Sequence, residues 1–319
     1  MKSRLRFHRI FGLTLGSDVP FGSHLGPEAD PPADLVFRVF HHNGPPGAAL
    51  PPLPDPASGV YHGINLHLFR APDREVLRVT NVADFHLWPD RIVAHPADTE
   101  AGPLIEIHLL GTVLSYWLER RGLVALHASA VEIESRAAVF ASAHGGGKTG
   151  LAAALLQAGH PLLSDDLLPV EERGGAFFGR PGYPQMRMWP DEALHFLGRY
   201  ENLTVVHPEL SKRRVPVGPG GLGTFHGSPL PLACIYLLER GTEEETLDVR
   251  EVSPRDALIE LLCQSFTPRL VEAAGLQPAR FHKLSNLVLQ VPVKRLRYPS
   301  GFSRLPQVAE AVRCDLERC

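Results

Sequence analysis

The run Ala141-Ser142-Ala143-His144-Gly145-Gly146-Gly147-Lys148-Thr149-Gly150 joins three consecutive glycines to a lysine and a hydroxyl residue. That combination suits a phosphate chain. Glycines let a backbone curl around an anion with its N–H groups turned inward. A helix beginning at Lys148 adds the positive end of its dipole. Lys148 then offers a point charge to β- and γ-phosphates, and Thr149 a hydroxyl to Mg²⁺. The full phosphate-loop pattern is G-x-x-x-x-G-K-[ST]. Gly147, Lys148 and Thr149 match its end, whereas Ser142 stands where its first glycine belongs. Residues 143–150 are therefore expected to bind nucleotide phosphate, with ATP and Mg²⁺ as the implied cofactors.

Asp165 and Asp166 follow the next apolar run, where a strand is expected to end. Two carboxylates there can divide the work of phosphoryl transfer, one orienting or deprotonating a hydroxyl, the other holding the metal or its water shell. Asp also suits turns and caps, so the pair gains its meaning from the glycine loop beside it. His127 lies in the apolar run Leu123–Val131, on a strand expected to pair beside the loop strand. That placement could bring its imidazole toward a γ-phosphate, although a lone strand histidine is more often a core residue. Arg187, in Gln185-Met186-Arg187-Met188-Trp189, could steady a transferring phosphoryl group through a bidentate fork. The basic run Lys212-Arg213-Arg214 precedes a Gly/Pro-rich stretch and suggests a lid.

These residues need a scaffold, and its outline is visible. Residues 1 to about 100 read as short strands at 6–15, 35–40, 63–69, 76–82 and 85–89. Pro-rich loops at 26–34 and 44–59 interrupt them. Leu104, Ile107, Leu110, Leu114 and Leu118 recur at helical steps over 103–121. Two strands follow at 123–131 and 136–142, then the glycine turn, then an Ala/Leu helix over 148–158 that stops at Gly159. Strand, loop, helix, strand and acidic pair in that order point to an α/β phosphate-binding core. Further along, 191–197 and 254–266 read as helices and 232–238 as a central strand. Residues 287–293 read as an edge strand carrying Pro292, and 305–316 as a terminal helix.

Composition narrows the class. The 319 residues carry 32 basic and 35 acidic side chains, a net charge of −3. That argues against a general nucleic-acid or anionic-membrane binder. No apolar run is long enough to span a bilayer, and four cysteines without CxxC spacing suit a reducing cytoplasm. The 29 glycines and 30 prolines cluster, which implies long loops on a folded body.

Three motifs, Leu126-His127-Ala128-Ser129-Ala130-Val131, Gly145–Gly150 and Ala158–Asp166, together resemble the C-terminal catalytic domain of HPr kinase/phosphorylase. They are closer still to the HPr-kinase-related proteins that include lasso-peptide precursor kinases. The resemblance is strong over about fifty residues and looser to about residue 265. It implies a phosphoenolpyruvate-carboxykinase-like P-loop kinase core (101–319) behind a smaller strand-rich N-terminal domain (1–100). The implied reaction is ATP-dependent phosphorylation of a serine on a peptide or small protein, with a homo-oligomer left open. His127 matches the family's active-site histidine, Asp165 the base toward the acceptor, and Asp166 its acidic neighbour. Thr149 and Asp166 are the implied metal-side residues, with the roles of the two aspartates open to exchange. Gly150 replaces a glutamate of the family pattern, and the later acidic Gly-rich signature is absent, which weighs against phosphorylase activity and against HPr itself as acceptor. A small-molecule hydroxyl kinase and a non-catalytic nucleotide sensor are the competing readings.

Overall fold

The computed structural model describes residues 5–40, 59–62, 64–99, 101–143 and 145–318. Eight strands open the chain: β1 (Arg6–Ile10), β2 (Leu13–Ser17), β3 (Leu35–Val39), β4 (Gly59–His62), β5 (Leu66–Arg70), β6 (Glu75–Val79), β7 (Ala83–Leu87) and β8 (Arg91–Pro96). They form one sheet in the order β1-β2-β3-β8-β7-β6-β5-β4. Leu35 and Phe37 on β3, and Ile92 and Ala94 on β8, are buried at the two-residue period of a sheet with one face covered. The cover is a helical rod: α1 (Gly102–His108), a π-helical turn (Leu109–Val113) and α2 (Leu114–Arg120). Its Ile105, Leu109, Val113, Leu114 and Leu118 share a core with the sheet, and Leu167, Tyr183 and Leu270 join that core from later in the chain.

Some expectations change here. The single strand expected over 6–15 is a hairpin, because Phe11 and Gly12 both take positive φ (50° and 70°) and make a two-residue turn. Strand β8 was not anticipated. Of the Pro-rich run 44–59, all but Gly59 lies outside the described residues.

The rest of the chain runs β9 (Val124–Leu126), β10 (Ala128–Ile133), β11 (Arg136–Ala141), α3 (Lys148–Gln157), β12 (Leu162–Ser164), β13 (Leu168–Arg173) and β14 (Ala176–Gly179). It continues through β15 (Gln185–Met188), α4 (Pro190–Leu197), β16 (Val205–His207), β17 (Leu210–Pro216), β18 (Leu230–Arg240) and β19 (Asp248–Glu251). Helices α5 (Pro254–Cys263), α6 (Pro268–Ala273) and α7 (Gln277–Gln290), strand β20 (Val293–Tyr298) and helix α8 (Leu305–Leu316) complete it. The larger sheet runs β12-β10-β11-β18-β14-β13-β9, with β20 paired to β18 and β19. β15, β17 and β16 make a small third sheet. The architecture is thus mixed α/β with several sheets.

Strands β11, β18 and β20 are parallel. Both faces of β11 and the middle of β18 are covered, which is why Ala137–Ala141 and Ala233–Leu237 read as unbroken apolar runs, whereas β20 carries Lys294, Arg295 and Arg297. Ala138 and Phe140 pack with α3 and α8, while Ala137, Val139 and Ala141 pack with α5 and α7. The strand expected over 287–293 is a correction. Arg280, Leu284, Leu287 and Val288 are buried at helical spacing, so α7 runs through this region to Gln290. Pro292 falls in the gap before β20, where a missing N–H interrupts nothing. The strand expected over 123–131 is broken at His127 into β9 and β10, which pair with different neighbours.

Glu119 on α2 ties these parts together. Its carboxylate accepts from the Ala125 N–H at 2.7 Å and pairs with the Arg280 guanidinium from α7. Both side chains are buried, and burial pulls Arg280 down to about 10. Removing the carboxylate leaves that cation without a counter-charge. Glu119→Ala should lower the unfolding free energy by about 3–5 kcal/mol, read by urea denaturation; a change within error would show that Arg280 finds water instead.

Candidate functional site

The glycine loop leaves the end of β11 and enters α3. Gly147 holds φ +91°, and a Cβ there would run into the Tyr298 hydroxyl, which itself donates to the Gly146 carbonyl at 3.3 Å. Only glycine meets both demands. A Cβ on Gly146 would strike the Ser142 side chain. The departure at Ser142 therefore has a local counterpart: the middle glycine makes the room that the serine takes. His144 lies outside the described residues.

Lys148 is buried. Its Nζ donates to the Ser142 carbonyl at 2.8 Å and the Ala143 carbonyl at 3.4 Å, so it curls back across the loop. Burial lowers its pKa, and Asp165 and Asp166 partly offset that. Thr149, one residue on, donates from Oγ1 to Asp165 Oδ1 at 3.1 Å. Gly150 is buried in the first turn of α3; a Cβ there would stand 3.5 Å from Glu192 Oε1.

The two aspartates have opposite surroundings. Asp165 accepts from Ser129 Oγ at 2.6 Å and Thr149 Oγ1 on one oxygen, and from the Arg187 backbone N–H at 3.0 Å on the other. Asp166 takes φ +71°, which swings its side chain away from that cluster. Its carboxylate lies 3.3 Å from His127 Nε2 and 2.8 Å from the Arg187 guanidinium. Burial works against its ionisation, but Arg187 and then His127 outweigh it and hold the carboxyl far below the ordinary range. Arg187 also reaches the buried Tyr183 hydroxyl at 3.2 Å. Burial opposes its charge, and Tyr183 and Asp166 more than restore it. His127 sits where β9 gives way to β10, its N–H on the Gln264 carbonyl at 2.8 Å and its ring edge-on to Phe266.

These groups meet at a cleft of about 570 Å³. Of the anticipated residues, His127, Gly145, Gly147, Lys148, Thr149 and Asp166 line it. Asp165 and Arg187 are not on its wall and act on residues that are. The sequence reading missed Trp189, Glu192, Arg240 and Phe302, which also line it, as does Lys212 from the basic run expected to form a lid. It missed Ser129 and Tyr183 as well. Ser129 had a signal, standing two residues after His127 in the same apolar run. The others come from segments far apart in the chain and carried none. The basic run 212–214 is not a flexible lid but part of β17. Lys212 covers the Trp189 ring at 5.2 Å, Arg213 the Tyr200 ring at 5.9 Å, and Arg214 is buried against Glu106 at 2.9 Å.

The site can cradle an anion at the loop, hold a cation beside Thr149, and present an ionised carboxylate at Asp166. Among the described residues no three His, Cys, Asp or Glu side chains converge as a metal cage. The donor set, one hydroxyl with adjacent carboxylates, fits Mg²⁺, which keeps its waters and draws on substrate phosphates.

Because the folded pKa of Asp166 lies below its unfolded value, its contribution to stability is full above the ordinary carboxylate range and fades as pH falls through and below it. Asp166→Asn should therefore be less stable than the parent at pH 7, with the gap closing in acid. Thermal melts from pH 7 to pH 3 test this; a pH-independent gap would mean the carboxylate is not held ionised.

No family model matches the chain, and no curated protein matches it. Among solved structures it is similar to the HPr(Ser) kinase/phosphatase from Coxiella burnetii, with 13% identity over 61% of this chain and 96% of that one, at a TM-score of 0.32. A likeness at this level decides neither fold nor function. Among the described residues no helix is long and apolar enough to cross a membrane.

Proposed function

We propose that the chain is an ATP- and Mg²⁺-dependent kinase that phosphorylates a serine hydroxyl on a peptide or small protein. One observation carries this reading. The hydroxyl of Thr149, at the start of the loop helix, touches one aspartate while the neighbouring aspartate faces the cleft with a histidine beside it. A nucleotide sensor has no use for the second group. The sequence motifs shared with HPr-kinase-related proteins support a peptide acceptor over a small molecule.

In this reading the loop N–H groups and Lys148 hold the phosphates, Lys148 exchanging its two carbonyl partners for phosphate oxygens. Bound Mg²⁺ would neutralise charge on the β- and γ-phosphates, with Thr149 and Asp165 on its side of the site. This inverts the order in which the family resemblance places the two aspartates, because Asp165 is already committed to three donors. Asp166 accepts the proton of the serine hydroxyl as its oxygen bonds to the γ-phosphorus and the bond to ADP breaks. His127 and Arg187 orient that carboxylate, and Arg187 keeps it ionised at neutral pH.

Lys148→Ala should weaken Mg²⁺-ATP binding roughly tenfold or more in calorimetry while the fold melts as before. Asp166→Asn should lower kcat by about 10²–10⁴-fold with little change in nucleotide affinity, measured as transfer from γ-labelled ATP to a serine-containing peptide panel. Absence of any heat on adding Mg²⁺-ATP to folded protein removes the nucleotide reading, and wild-type transfer by Asp166→Asn removes that aspartate from the chemistry.

A further inference from the structure

A second cavity, of about 470 Å³, opens on the N-terminal sheet. Two neighbouring turns build it, the one joining β5 to β6 and the one joining β7 to β8, and the end of α2 closes it. Its wall carries Arg70, Arg74, Arg120 and Arg121 against only two carboxylates, Asp73 and Glu75. Arg70 and Arg120 share Glu75, at 3.5 and 3.2 Å, and Glu75 already accepts from the Tyr116 hydroxyl at 2.9 Å. Asp73 accepts from Arg74 at 2.8 Å and from the Trp88 indole at 3.3 Å. Arg121 donates to the Pro89 carbonyl at 2.8 Å. The pocket therefore holds two more guanidiniums than carboxylates among the described residues. Burial above all, helped by His95 and Arg74, lowers the adjacent His86 to about 4.

The floor is aromatic and apolar. Arg121 lies over the Trp117 ring at 4.5 Å and Arg74 over Trp88 at 5.7 Å. An arginine stacked in this way lies along the ring with its N–H fork at the edge. Arg70, Arg120 and Arg121 are at least two-fifths exposed or fully at the surface, so their forks are accessible. None of this is used by the cleft at Lys148.

We infer that this pocket binds an acidic peptide segment, two of whose carboxylates engage the surplus arginines. The volume exceeds what a single inorganic anion would fill. The net charge of −3 and the local scale of the patch disfavour a nucleic acid. The inference does not depend on the kinase reading, since it draws on no residue of the cleft.

The test uses the full chain and a short labelled peptide of alternating Glu and Gly, followed by anisotropy and by tryptophan fluorescence. The control peptide carries Gln for every Glu. The acidic peptide should bind roughly tenfold tighter than the control, and binding should weaken as salt is raised. Arg70→Gln and Arg121→Gln, both surface changes, should each weaken it several-fold without altering the melt or Mg²⁺-ATP binding, and Arg121→Lys should recover only part of the loss. Equal binding of the two peptides overturns the proposal. So does affinity indifferent to both arginine variants, displacement by millimolar inorganic phosphate, or preferential binding of a single-stranded RNA of matched length.

Discussion

The carboxylate of Asp165 is the point at which the site is assembled. It receives a hydroxyl from β10, a hydroxyl from the first turn of α3 and a backbone N–H from β15. Three segments that share no sequence neighbourhood are thereby fixed to one group. Hydrogen bonds to an ionised acceptor contribute about 1.5–3 kcal/mol each, and more is lost when one is left unmade in a buried setting. The consequence reaches the next residue. With Asp165 facing inward, the left-handed turn at Asp166 directs the second carboxylate to the cleft, where Arg187 and His127 meet it. Arg187 serves both aspartates, one through its backbone and the other through its guanidinium.

Around this point the packing leaves little slack. The loop strand β11 is built of small and apolar residues buried on both faces, and α3 is buried almost all round, so the glycine loop is carried on two elements that cannot shift independently. Tyr298, at the end of β20, which pairs with β18 rather than with β11, sits against the loop and forbids a side chain at Gly147. The N-terminal body is coupled to the same region. Glu106 on α1 accepts from Gly22 N–H at 2.6 Å, Ser23 Oγ at 2.5 Å and Arg214 at 2.9 Å. Arg214 belongs to the strand that also places Lys212 at the cleft. A charge buried at this junction is stable only with all its partners present, so the two parts hold each other in register.

Much of the site's chemistry could be read from local sequence, because it depends on residues a few positions apart. A lysine and threonine after three glycines, a helix of Ala and Leu, and an acidic pair after a short apolar strand carry their own geometry. The helix over 277–290 could not be read in the same way. Its apolar end, Leu287 to Val291, has the composition of a strand, and its helical stripe includes Arg280, whose burial depends on Glu119 from a distant helix. The hairpin at Phe11 was hidden for a related reason: a bulky residue with positive φ is chosen by the strands on either side, not by its own preference.

The amino-acid sequence alone determined that a glycine-rich loop, a lysine, a hydroxyl and two carboxylates stand in one order on one α/β segment, since spacing along a helix or strand sets which neighbours can act together. Tertiary structure decided the rest. It chose which aspartate is enclosed and which is presented, recruited Ser129 and Tyr183 behind the site and Trp189, Glu192 and Lys212 onto its wall, and turned a basic run into three separate contacts. Those outcomes depend on where sheets and helices meet across more than a hundred residues, and no local preference encodes such a meeting.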